Sequence, residues 1–273
     1  MMQHGWGHER FLAPTMHGRR VGAPLSVAQQ VQALLAGTNG FALDPTDLST
    51  LWKEDTKVTP VSLAGDPIGA FRTKWGLAQY DFLQVTAGAR PAWSTNSITT
   101  DGVDDGLLAA NLPVFQNAPA YWFCAKINFL AATSFGTALF FSRNTTAFRF
   151  HLQGYTAAPN GIYDLLGKRL DADGTGLARS AAGTLSYATD ALLVGLAEFT
   201  GGVLSLEKNG SVIATSTVTT GGNSSNTASL TARLGSDGTT FGNCKIGRLV
   251  ACPFVPSAGQ ITAIKSWVDE FAL

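Results

Sequence analysis

The stretch "VLSLEKNGSVIATSTV", residues 203–218, constrains the fold most. Two runs of alternating apolar and polar residues flank Asn209-Gly210, a pair that tolerates positive φ at both positions and so closes a type I′ hairpin. The same text recurs from Phe41 onward: short runs rich in Val, Ile, Phe, Thr and Tyr, broken by Gly, Asn, Asp and Pro about every ten residues. In "AFRFHLQ", Phe148, Phe150 and Leu152 share one face, and Arg149, His151 and Gln153 share the other, which reads as polar and exposed. "YWFCAKINFL", "GTALFFS" and "ALLVGLAEF" are continuously apolar, as strands covered on both faces are. Many short strands with regular turn signals predict a mostly β chain, a two-sheet antiparallel sandwich.

Two segments depart from this period. In "SVAQQVQALLAG", Ser26 stands three residues before Gln29, a capping-box spacing, and Val27, Val31, Leu34 and Leu35 fall on one helical face. This predicts a short helix that packs on the body of the protein or against a neighbouring subunit. Near the C-terminus Ser257 and Gln260 repeat the box, and Ile261, Ile264, Trp267, Val268 and Phe271 follow at helical spacing. Residues 1–25 hold four glycines and three of the four histidines without apolar periodicity, so they read as an irregular arm. The chain divides into an irregular arm with its helix, 1–40, docked on a partner or on its own domain, and a sandwich, 41–273.

Nineteen basic residues balance nineteen acidic ones, which removes the electrostatic footprint of nucleic-acid binding. Only 14% of residues are charged, a surface poorly protected against association, so neighbouring copies of the chain are expected. Cys124, Cys244 and Cys252 lack a C-x-x-C spacing and read as buried hydrophobes. No apolar run reaches membrane-span length and the first residues carry no export signal, which predicts folding in a cytoplasm without membrane insertion.

In order along the chain, "LDPTDLSTLWKEDTKVTPVSLAGDPIGAF", "ARPAW", "TTDGVDDGLL", "LSLEKNGSVIAT" and "GRLVACPFVPSAGQITAIKSWV" resemble the concanavalin A-like, or laminin-G-like, lectin/glucanase jelly rolls common in proteins of tailed bacteriophages and prophages. The resemblance implies two curved antiparallel sheets and a closing C-terminal helix. It also implies a non-enzymatic virion structural protein, a decoration, collar or tail component, attached to other virion proteins through its N-terminal segment. A host-surface glycan adhesin or receptor-binding protein is the alternative, ahead of a glycoside hydrolase or a free carbohydrate-binding module.

Within that frame Trp6, Arg10, Phe11, Val27, Val31 and Leu34 are the expected anchor. Trp52, Trp75 and Trp93, near turn-rich segments, are the expected glycan contacts, since aromatic faces stack on sugar rings, whereas Trp122 and Trp267 fit core positions. Asp101, Asp104 and Asp105 read first as turn chemistry, because Asp caps backbone amides beside Gly102, and second as a weak calcium site. "DADGTG", 171–176, reads as a surface turn. The arm's His4, His8 and His17 are weak metal candidates. The five glutamates, Glu9, Glu54, Glu198, Glu207 and Glu270, share no strand, and retaining glycoside hydrolysis needs a close carboxylate pair. No catalytic residue and no required cofactor are expected.

Overall fold

The computed structural model describes residues 24–131, 135–142, 148–155, 161–224 and 231–273. Trp6, Arg10 and Phe11, with His4, His8, Glu9 and His17, lie outside the described residues. Helix α1 spans Val27–Leu35 and is followed by β1 Phe41–Leu43, β2 Leu51–Trp52, β3 Ala70–Arg72, β4 Trp75–Gly76, β5 Asp81–Leu83, β6 Ala92–Ser94, β7 Ser97–Asp101 and β8 Leu107–Ala109. Longer strands come next: β9 Ala120–Phe129, β10 Phe135–Ser142, β11 Phe148–Tyr155, β12 Ile162–Gly167, β13 Gly176–Arg179 and β14 Ala191–Glu198. The chain closes with β15 Val203–Lys208, β16 Ser211–Thr217, β17 Thr231–Leu234, β18 Asn243–Cys252 and helix α2, Ala258–Val268.

The strands form two sheets, and every pairing between them is antiparallel. The first runs β16-β15-β14-β9-β18-β1-β4, with β7 also on β18 and β6 on β7; the second runs β13-β12-β11-β10-β17-β8-β5-β3-β2. The β15–β16 ribbon turns at Asn209 and Gly210 with φ of 50° and 87°, as its sequence requires.

Apolar side chains of both inner faces fill the space between the sheets, with Phe115 against Tyr121 (4.5 Å between centroids) and Phe141 (4.9 Å) at its centre. The first sheet is apolar on its outer face as well. Tyr121, Phe123 and Ala125 of β9 point inward, while Trp122 and Cys124 point outward into a second core with Ala42, Val194, Val250 and Cys252. Helices α1 and α2 cover that core, so all ten residues of β9 are buried. The three cysteines are free and buried; burial pushes Cys244 and Cys252 up to about 12, which leaves them as inert hydrophobes.

Both helices start with complete capping boxes, Ser26 with Gln29 and Ser257 with Gln260. Helix α1 is part of the body. Val31 is 1% exposed and Leu35 fully buried against α2 and the first sheet, so Val31 has no surface left for another molecule. Leu34 is half-buried on the same core, and Val27 stays 39% exposed. The division at residue 40 therefore separates a helix from the core that it completes.

One irregularity in β18 sets the C-terminal architecture. Ile246 pairs with Ile127 and Leu249 with Ala125, so Gly247 and Arg248 together oppose Lys126 in a β-bulge. The extra residue keeps Ile246 and Leu249 in the inner core and turns Arg248 toward the helices. Its guanidinium bonds Asp44 Oδ1 (2.9 Å), the Trp267 carbonyl (2.8 Å) and Glu270 (2.5 Å), and stacks over Trp267.

Candidate functional site

The aspartates of "TTDGVDDGLL" form a turn. Gly102 has a φ of 80°, and Asp101 Oδ1 accepts from the amides of Val103 (2.8 Å) and Asp104 (3.4 Å), an Asx turn. Asp105 Oδ2 accepts from the Asp101 amide (3.0 Å). One oxygen from each carboxylate lies within 4.8 Å of the others. These three oxygens are at most half of a six- to eight-oxygen calcium shell, and two of the carboxylates already serve the turn. Burial, then the charges of Asp101 and Asp104, push Asp105 up to about 6. In "DADGTG", Asp171 pairs with Arg149 (2.7 Å) and Asp173 with Arg169 (3.2 Å), which accounts for both carboxylates as structural partners.

The two outer faces of the sandwich differ. Helices seal that of the first sheet, whereas the second sheet carries an open groove over β5, β8 and β17. Its cavity of about 530 Å³ lies between the loops 84–89 and 236–241. The register builds its floor: Leu83 opposes Leu108, Leu108 opposes Arg233, and Arg233 opposes Phe140. Leu83 and Leu108 supply an apolar surface, with Phe241 on the wall. The polar lining includes the Thr86 and Ser236 hydroxyls, the Arg233 guanidinium and, on the rim, the exposed Asp104. Gln84 also lines the groove, but its amide is engaged with the Gly106 carbonyl (2.9 Å) and the Thr86 amide (3.1 Å). Asp81 is neutralised by Lys57 (2.5 Å) and Arg72 (2.8 Å).

Beyond Phe140 the row continues to His151, and here alternation misleads. His151 is 6% exposed and Arg149 2%, although both lie on the face read as polar and exposed. The turn that carries Asp237 and Thr240 reaches over that part of the sheet. Asp237 accepts the Thr240 hydroxyl (2.7 Å), Thr240 Oγ1 contacts Thr137 Oγ1 (2.8 Å), and Thr137 contacts His151 Nε2 (3.0 Å). A carboxylate only accepts, so the chain of donors orders itself. Thr240 donates to Asp237, Thr137 donates to Thr240, and neutral His151 donates from Nε2 to Thr137.

Burial holds His151 at about 4, below its ordinary 6.5. Below pH 6.5 the unfolded imidazole gains a proton that the folded one refuses until about pH 4, so this contribution to stability is lost across that window, on the order of 3 kcal/mol. Asp105 runs the other way, because a raised carboxyl favours the fold at low pH and loses that contribution as pH rises through about 6. Urea melts between pH 4.5 and 7 are expected to show a flatter acid loss for His151→Gln and a steeper one for Asp105→Asn. An unchanged slope in His151→Gln refutes the neutral buried imidazole.

The three tryptophans expected to meet sugars are each half-buried and do not converge. Trp52 lies on β2 of the second sheet with Arg72 5.3 Å from its ring, and Trp75 packs on Trp267 at 4.9 Å in the helix-covered core. Trp93 packs on the inner core and donates Nε1–H to the Pro45 carbonyl (2.9 Å). Trp122 and Trp267 are core residues, as their pattern indicates. The described glutamates are structural too. Glu198 caps the amides of Thr200 and Gly201 (2.7 Å each), Glu207 pairs with Lys265, Glu270 with Arg248, and Glu54 accepts from the Thr59 amide. Sequence reading missed Arg233, Thr86, Ser236 and Phe241. The available signal was the lone cation between apolar residues in "TARL", followed by the turn "SDG".

No family model and no curated protein sequence matches the chain. Among solved structures, the Trypanosoma rangeli sialidase in complex with the inhibitor DANA aligns with 88% of this chain and 37% of its own, at 11% identity and a TM-score of 0.55. The native heptameric SAP-like pentraxin from Limulus polyphemus aligns over 62% of this chain and 81% of its own, at 15% identity and a TM-score of 0.47. The Ruminococcus gnavus IT-sialidase CBM40 bound to α2,3-sialyllactose aligns over 62% of this chain and 96% of its own, also at 15% identity and a TM-score of 0.47. This chain spans little more than a third of the sialidase, at 37%. At such identity the likeness is one of fold, and together with the antiparallel pairing it describes a two-sheet jelly-roll sandwich closed by two helices.

Proposed function

We propose that this chain is a non-enzymatic carbohydrate-binding protein whose ligand lies in the groove over β5, β8 and β17. The observation that carries the reading is the asymmetry of the sandwich, sealed by helices on one outer face and open on the other. An apolar floor flanked by a few hydroxyls and charges suits a sugar, which presents C–H faces and hydroxyl edges. The fixed roles of the described glutamates, the buried His151 and the engagement of Asp105 inside its own turn support binding without bond cleavage.

Calorimetric titration across a glycan panel tests this. At least one glycan is expected to bind without being hydrolysed, and Leu108→Asp or Phe241→Ala is expected to weaken it at least tenfold. Trp52→Ala, Trp75→Ala and Trp93→Ala are expected to leave Kd unchanged. A blank panel, or binding indifferent to Leu108 and Phe241, overturns the groove.

A second reading places this module in a phage virion, with other virion proteins and copies of the chain as partners. The order of the jelly-roll motifs supports it, and so does the position of α1. The N-terminal segment joins the body on the helix-covered side, where Leu25 and Val27 stay exposed, so attachment there turns the groove outward. Mass spectrometry of particles purified from an induced culture of the source strain is expected to find the chain; particles without it overturn this placement.

A further inference from the structure

We infer that the groove selects carbohydrates bearing a carboxylate, and that the Arg233 guanidinium on its floor is the receptor for that group. The inference rests on the groove being the carbohydrate site.

Arg233 differs from the other described arginines. Arg72, Arg90, Arg149, Arg169, Arg179 and Arg248 each hold a carboxylate at 3.2 Å or less. Arg233 holds none, and its buried Nε has no hydrogen-bond partner among the described residues. Asp237, the acid closest along the chain, instead accepts from the amides and hydroxyls of Thr239 and Thr240, with all four contacts between 2.7 and 2.8 Å. Burial lowers the Arg233 pKa, and the field of Asp237 only partly opposes it. An arginine nevertheless stays charged, so a half-desolvated cation faces the groove with no carboxylate in contact among the described residues.

Local packing aims the group. Arg233 lies between Phe140 and Leu108 in the register, and its guanidinium carbon would sit 3.2 Å from a Cβ at Gly238. Gly238 has a φ of 99°, so the turn holds a residue without a side chain where one would crowd the guanidinium. A planar fork of donors matches a carboxylate with two parallel hydrogen bonds, and an apolar surrounding strengthens them. The other acids do not defeat this. Asp81 is neutralised by Lys57 and Arg72, while Asp104 on the rim is exposed and suits the hydroxyls of the same sugar as an acceptor. Leu83 and Leu108 lie under the ring face.

The test is titration of the full chain with matched pairs: oligohexuronates and the same oligosaccharides with each carboxyl reduced to hydroxymethyl. The acid member is expected to bind at least tenfold more tightly, with the advantage shrinking as salt rises. Arg233→Gln is expected to abolish the advantage, so that the acid and neutral members bind with the same Kd, and Arg233→Lys to retain part of it. The melting temperature of Arg233→Gln is expected to equal or exceed that of the parent, because the substitution removes an unpaired desolvated charge; this separates lost recognition from lost folding. Equal affinity for both members, with binding still sensitive to Leu108→Asp, overturns carboxylate selection and spares the carbohydrate reading. Failure of both members to bind overturns the two together.

Discussion

Asp44→Ala is expected to lower the unfolding free energy by about 3–5 kcal/mol, the usual range when one member of a buried ionic group is removed. Asp44 is 0% exposed and follows β1 directly. Its carboxylate accepts from Lys74 Nζ (2.7 Å), Arg248 Nε (2.9 Å) and both the amide (3.1 Å) and hydroxyl (2.6 Å) of Thr46. Burial alone would raise this carboxyl, but the hydrogen bonds from Lys74, Thr46 and Arg248 outweigh it and hold the group below its ordinary value. Removing the acid leaves Arg248, which is itself buried and holds the Trp267 carbonyl at the end of α2, with the solvent-exposed Glu270 as its remaining carboxylate. A cation at a helix C-terminus also suits the helix dipole, so the helix loses part of its clamp as well. The sign in pH follows from the lowered carboxyl. Its contribution is complete above the ordinary aspartate range and is lost as pH falls through the folded value, so Asp44→Ala flattens the acid limb below pH 4. Urea denaturation of the parent, Asp44→Asn and Asp44→Ala at pH 7 measures the effect. A loss under about 1 kcal/mol in the alanine variant returns Asp44 to the class of surface ion pairs and removes the clamp from the account.

Local chemistry made half of the fold legible, and distant register hid the rest. Asn209-Gly210 and the two Ser-x-x-Gln boxes act within four residues, so the hairpin and both helix starts are read from their own letters and recur in the structure. The unbroken apolar run of β9 reports two covered faces, and both are covered. Alternation in β11 sorts its side chains onto two faces correctly, but it cannot say whether the second face is wet. A turn from residues 236–241 dries it over His151, and that turn is nearly ninety positions away in the chain. The same limit conceals the groove. Leu83, Leu108 and Arg233 become neighbours only because β17 inserts between β10 and β8 and β8 meets β5. Tryptophan drew attention as the residue that stacks on sugars, yet Trp75 and Trp93 use their rings to close the protein's own layers.

Removal of residues 1–37 is expected to lower the melting temperature by roughly 6–24 °C relative to removal of residues 1–23, measured by calorimetry on the two truncated chains. The difference lies in α1. Val31 and Leu35 are sealed in the outer core with Trp122, Val250, Ile264 and Trp267, and Leu34 packs beside them. Each fully buried aliphatic side chain is worth about 1.5–3 kcal/mol, so the two sealed residues alone contribute roughly 3–6 kcal/mol. Loss of α1 also bares the apolar side of α2 that faced it, including Ile264. For a chain of this length each kcal/mol moves the transition by about 2–4 °C, which gives the expected drop. The shorter truncation ends just before Pro24 and keeps every described residue of this core. Equal melting temperatures in the two chains refute α1 as a structural layer and return it to the role of a detachable anchor. Glycan titration of the same pair separates layer from groove. Chain 24–273 is expected to keep the parent Kd, because the groove and α1 lie on opposite outer faces of the sandwich. Chain 38–273 is expected to keep it only below its lowered transition, since binding and folding then fail together.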